Sequence, residues 1–90
     1  MTTNILTAIV TAYVATGNPC ANGEWPREHH TVGLPRAYPL GSRVEIDGRW
    51  YVGEDRLADR YEGRFDIFMP DLKAARAWGR REMRVTVVTP

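Results

Sequence analysis

The chain has 90 residues, 43% hydrophobic and 26% charged, with a net charge of +1. That suits one small soluble core and excludes a disordered chain; the charge is too balanced for a nucleic-acid surface, which needs a clearly basic face. The longest apolar run, Ile5 to Val14, is interrupted by Thr7 and Thr11, is too short to cross a bilayer, and lacks the basic start and cleavage site of a secretory signal.

Asn4 to Val14 reads as a strand, with Leu6, Ala8, Val10, Ala12 and Val14 on one face and Thr7, Ile9, Thr11 and Tyr13 on the other. Ala15 to His30 reads as a long loop, rich in Gly, Asn and Pro, and a loop of that length in so small a domain is usually functional. Thr31 to Leu34 is a short strand, and Pro35 to Ser42 is a turn-rich connection. Arg43 to Ile46 and Arg49 to Glu54 form a hairpin about the turn Asp47-Gly48. Asp55 to Gly63 is polar and loop-like.

Arg64 to Met69 is the next strand. Phe65, Ile67 and Met69 face the core, and Arg64, Asp66 and Phe68 face the other way. Asp71 can cap a helix that runs through Trp78 and stops at Gly79, with Leu72, Ala75 and Trp78 as its apolar stripe. Arg81 to Val88 closes the chain as a strand. Six short strands and one helix without a linker predict a single all-β domain over residues 1–90, a small barrel that removes its own edges. Trp50 and Trp78 are assigned to the core.

Cys20 is the only cysteine, so an internal disulfide and a paired-cysteine metal site are excluded. His29-His30 offers two adjacent ligands, fewer than a metal site needs, and no cofactor is expected. Either histidine could serve Cys20 as a base, but all three residues lie in a polar loop on a scaffold too small for a cysteine protease. The late arginines Arg76, Arg80, Arg81 and Arg84 read as a solvated helix face and strand edge, with mild attraction to an anionic polymer as the alternative.

The residues also carry a resemblance. Thr11-Ala12-Tyr13, Tyr38-Pro39-Leu40-Gly41-Ser42-Arg43-Val44, Gly53-Glu54-Asp55, Glu62-Gly63-Arg64-Phe65-Asp66-Ile67-Phe68 and Ala77-Trp78-Gly79-Arg80-Arg81 follow one another in an order and spacing similar to the three-aspartate (3D) domain family of bacterial and phage cell-wall enzymes. The resemblance implies a double-psi β-barrel like that of lytic transglycosylases. It implies peptidoglycan glycan strands as partner and cleavage of the bond between N-acetylmuramic acid and N-acetylglucosamine. It places the catalytic acid at Asp66, a second family aspartate at Asp55, and Thr11 and Tyr13 along the substrate groove. Trp25 and Tyr61, both in loops, are candidates for stacking on sugar rings. The third family aspartate does not carry over: Leu34 stands in its place before Pro35, and Arg56-Leu57-Ala58-Asp59 replaces the Gly-Gly pair that usually follows the second.

Glycosidic cleavage needs a proton for the leaving oxygen, and a carboxylic acid supplies it when apolar surroundings or a like charge raise its pKa. Asp66 lies in an apolar strand, and Asp55 could be the like charge. A transglycosylase, in which the sugar's own hydroxyl attacks, needs only one such group acting as acid and then base. The substitution at Leu34 motivates a second reading, a glycan-binding module without catalysis. The lack of a recognisable export signal motivates a third, a phage component made in the cytoplasm that acts at the cell wall or has a structural role. A homodimer paired through edge strands is compatible with all three.

Overall fold

The computed structural model describes residues 1–57 and 63–90. Its elements are strands β1 (Thr2–Tyr13), β2 (Thr31–Leu34), β3 (Arg43–Ile46), β4 (Arg49–Arg56) and β5 (Arg64–Phe68), helix α1 (Leu72–Trp78) and strand β6 (Arg81–Thr89). The strands form a closed mixed barrel in the order β1-β5-β2-β4-β3-β6. The all-β fold class expected from the alternation patterns is therefore the one adopted, a six-stranded barrel with one short helix.

Alternation decides what fills the barrel. Val10, Val32, Leu34, Val44, Ile46, Phe65, Ile67, Val85 and Val87 are at most 2% exposed. They come from every strand except β4, which contributes Tyr51 at the edge of the same cluster and Gly53 beneath Leu34. A β-carbon on Gly53 would lie 2.2 Å from the Leu34 Cδ1 atom. The bare backbone of Gly53 is thus what lets Leu34 reach the middle of the barrel.

Pairing of the first and last strands closes the barrel. β1 runs antiparallel to β6 from Thr2↔Thr89 to Val10↔Arg81. Two other pairings are parallel, β1 with β5 and β2 with β4. Turn chemistry matches the expected punctuation: Asp47 and Gly48 both adopt positive φ, as a tight hairpin turn requires. The Asp71 carboxylate accepts from the Ala74 N–H at 2.8 Å, and Gly79, at φ 70°, ends the helix.

Four expectations are corrected. Trp50 is not in the core: it lies on the outer face of the β3–β4 hairpin, 46% exposed, with the Arg43 guanidinium 5.6 Å from its ring centre. Leu72 is exposed, and α1 leans on the barrel through Ala74, Ala75 and Trp78, whose indole N–H donates to the Val10 carbonyl at 3.2 Å. Phe68 is buried although it shares a face with Asp66, because the Tyr13 ring covers it edge-on at 5.6 Å. Asp55 and Arg56 belong to β4 rather than to a loop. No described helix is long and apolar enough to cross a membrane.

Replacing Gly53 with Ala should destabilise the barrel by about 1–3 kcal/mol through overpacking against Leu34. A urea or guanidinium titration reads this as a lower midpoint. An unchanged midpoint would mean that Leu34 moves aside without cost.

Candidate active site

The site begins with strand register. Thr11 on β1 is opposite Asp66 on β5, Asp66 is opposite Gly33 on β2, and Gly33 is opposite Asp55 on β4. These four residues form one row across four strands on the outer face of the barrel. The last step in the row depends on an irregularity. Val32 pairs with Gly53 but Gly33 pairs with Asp55, so β4 carries one extra residue, Glu54. Alternation from Tyr51 and Gly53, both on the core side, would send Asp55 inward. The bulge reverses the phase and turns Asp55 outward into the row.

Gly33 leaves a gap between the two aspartates. A β-carbon there would stand 3.5 Å from the Asp66 Cβ and 3.7 Å from the Leu57 Cγ, so anything larger than Ala would fill the space. Two clefts meet at Asp66. One, of about 240 Å3, is lined by Tyr13, Thr16, Gly33, Asp55, Arg56 and Leu57 as well as Asp66. The other, of about 290 Å3, lies on the Thr11, Ala12 and Arg64 side of the same carboxylate.

The two aspartates are held differently. Asp66 accepts a hydrogen bond from the Thr11 hydroxyl through Oδ1 at 3.0 Å. Burial pushes its pKa up to about 6; the Thr11 hydrogen bond pulls it down in part, and the Asp55 charge raises it further. Asp55 accepts from the Tyr13 hydroxyl at 3.2 Å through Oδ2, and from the Ala21 and Arg56 backbone N–H groups at 3.1 and 2.9 Å through Oδ1. Tyr13 is held far above its ordinary pKa, first by burial and then by Asp55, and so stays a neutral donor. Asp55 is thus tethered by three donors, whereas Asp66 is held by the Thr11 hydroxyl and its pKa is raised by burial. Two strand spacings put their Cα atoms about 10 Å apart.

Asp55 and its neighbour Glu54 also fasten the long loop between β1 and β2. Glu54, 5% exposed, accepts from the Thr31 hydroxyl at 2.7 Å and the Asn22 side-chain amide at 3.2 Å. His30 lies 3.5 Å from the same carboxylate, with its Nε2 also 2.7 Å from an Arg27 guanidinium nitrogen. Arg56 holds the next connection, donating to the Pro35 and Tyr38 carbonyls at 2.9 and 2.6 Å.

Of the candidates read from the sequence, Asp66, Asp55, Thr11 and Tyr13 come together here. Trp25 is 62% exposed and lines neither cleft beside Asp66. Tyr61 lies outside the described residues. Leu34 is wholly buried, so its position points into the core and not toward Asp66. Cys20 is buried, with its thiol pKa raised by that burial and by Asp55, the opposite of an activated nucleophile. No group of three metal-ligating side chains occurs among the described residues. Sequence reasoning missed Gly33 and Glu54. A glycine inside a four-residue strand was the available signal for the first; nothing in a single sequence marked the bulge that separates the roles of Glu54 and Asp55.

No protein-family model matches the chain, and no curated protein sequence matches it. What fold and geometry define is a small mixed β-barrel with two aspartates, Asp55 and Asp66, lining one outer cleft.

The linkage at Asp66 has a definite sign. Its folded pKa lies above its unfolded one, so its contribution to stability is fully present below about pH 4 and is lost as pH rises through about 6. Asp66→Asn should therefore raise the denaturation midpoint at pH 8 and leave it nearly unchanged near pH 3. The gain is bounded by roughly 3 kcal/mol and is smaller where water screens the group. A carboxyl-carbon NMR titration should find Asp66 near pH 6, higher in Thr11→Val and lower in Asp55→Asn. A value near 4 would remove the acid role.

Proposed function

We propose that this chain is a peptidoglycan-cleaving lytic transglycosylase in which Asp66 is both acid and base. The observation that carries the reading is the division of labour between the carboxylates. Asp55 has its oxygens committed to Tyr13, Ala21 and Arg56, whereas Asp66 is raised to about 6 and borders two clefts. The resemblance to the three-aspartate domain family supplies the substrate class.

Hydrolysis by the usual pair of carboxylates needs a second group as nucleophile or as base for water. A tethered Asp55 serves poorly for either. Intramolecular attack removes that need. The Asp66 carboxylic acid gives its proton to the bridging oxygen as the bond to the N-acetylmuramoyl carbon breaks, and the N-acetylglucosamine side leaves as an alcohol. The primary hydroxyl of the N-acetylmuramoyl residue then bonds to that carbon and returns its proton to the Asp66 carboxylate. The product is an internal anhydro sugar, no water is consumed, and the enzyme ends protonated as it began. Thr11 steadies the ionised form between the two transfers, and burial, helped by the Asp55 charge, favours the protonated resting form.

A binding module on the same barrel is the second reading. The row across β1, β5, β2 and β4 offers two carboxylates, Asp66 and Asp55, where a three-aspartate site has three.

Incubation with purified sacculi should release anhydro-muropeptides identifiable by mass spectrometry. Asp66→Asn should reduce release at least 100-fold, on the scale of a lost general acid. The rate should fall as pH rises above about 6, following the protonated fraction. Sacculus binding without soluble product would instead establish the binding module.

A further inference from the structure

A cleft larger than either of the two beside Asp66 lies elsewhere in the described structure. It has about 530 Å3 and lies at the end of β5, between the β3–β4 turn and α1. Ile67, Phe68, Met69 and Trp78 form its apolar floor, and Arg49 and Arg81 stand on its rim with Glu28 and Asp47. Both non-glycine residues with positive φ among the described residues, His29 and Asp47, line it.

The lining selects among ligand chemistries. A sugar platform needs a free aromatic face. Trp78 has none to offer: the Arg81 guanidinium lies 3.9 Å from its ring centre, and the ring also packs against the core cluster. Phe68 is covered edge-on by Tyr13. A nucleic-acid strand needs a single sign of charge, but the acids Glu28 and Asp47 offset the two arginines. An apolar trough with cations and anions on one rim suits a short peptide that carries both carboxylates and an amine.

Position relates this cleft to the first. Asp66 and Phe68 are two residues apart on β5, a rise of about 7 Å. The Tyr13–Phe68 ring pair stands between the clefts, Tyr13 lining the one beside Asp66 and Phe68 lining the larger one. A chain branching from a sugar held at Asp66 can cross that ring pair within a few residues.

We propose that the larger cleft binds the peptide branch of the glycan strand. This rests on the peptidoglycan reading and deepens it: the true ligand is a peptide-bearing strand, not a bare polysaccharide. The peptide carboxylates pair with Arg49 and Arg81, its amine meets Glu28 or Asp47, and its small apolar side chains lie against Met69 and Trp78.

The test uses NMR of the isotope-labelled full chain titrated with two probes, a purified disaccharide-peptide and the same disaccharide freed of its peptide. The expected result is that the peptide-bearing probe shifts the Phe68 and Met69 amides and the Trp78 indole N–H, whereas the bare disaccharide does not. Arg49→Glu should weaken binding of the peptide-bearing probe about tenfold, the scale of one charge-assisted contact. Its melting temperature serves as the check on folding. Shifts confined to the Thr11 and Asp66 region with both probes would overturn the proposal. Equal shifts from unrelated peptides of the same charge would also overturn it, in favour of a site for a segment of a partner protein. Failure of catalysis reads out separately: if wild-type chain yields no anhydro product but the Phe68 and Trp78 shifts persist, peptide capture stands and the transglycosylase reading falls.

Discussion

The candidate site depends on one constraint, the register with which β5 lies between β1 and β2. That register sets Asp66 opposite Thr11 on one side and opposite Gly33 on the other. Slipping β5 by one residue would turn Phe65 and Ile67 out and Asp66 in, so the same hydrophobic pattern that fills the barrel also aims the carboxylate. Core and site are therefore two faces of one pairing. Neither can change register without the other.

Opposed influences on one carboxyl group follow from that placement. Burial disfavours its charge, while the Thr11 hydroxyl favours it, and the two do not cancel. The bulge at Glu54 adds a second anion at a distance, already satisfied by three donors. Because the anchoring of Asp55 is made partly by the backbone of the β1–β2 loop, through Ala21, loop position and site electrostatics are linked. Glu54, on the other side of the strand, fastens the same loop through Asn22. Adjacent residues thus hold one loop from two directions.

Much of this was legible in the sequence wherever a local rule governed the outcome. The Asp47-Gly48 turn, the Asp71 cap, the Gly79 stop and the alternation of Phe65 with Asp66 each depend on a few neighbouring residues, and each stands in the fold as expected. The misreadings arose where a distant residue decides. Trp50 reads as core by its size, but on the hairpin it alternates with buried Tyr51 and so points out. Phe68 reads as outward by alternation, but Tyr13 from another strand covers it. Asp55 reads as loop because its segment is polar, yet pairing with β2 draws it into a strand. Gly33 and Gly53 look alike in sequence; one opens a cleft and the other admits Leu34, a difference set by which side of the barrel each faces.

The pairing of β1 with β6 has a consequence for how the barrel is made. Thr2 lies opposite Thr89, so the ends of this stretch of chain are neighbours in space. During synthesis β1 emerges before β6 and must wait for it before its long antiparallel partner exists. Until then Leu6 and Ala8 lack the strand that lies beside them, because the parallel pairing with β5 begins at Ile9. Closure is thus a late, long-range event, slow in the way that non-local β-pairing is slow. The exposed part of β1 therefore stays open to wrong partners until β6 has been made and has paired.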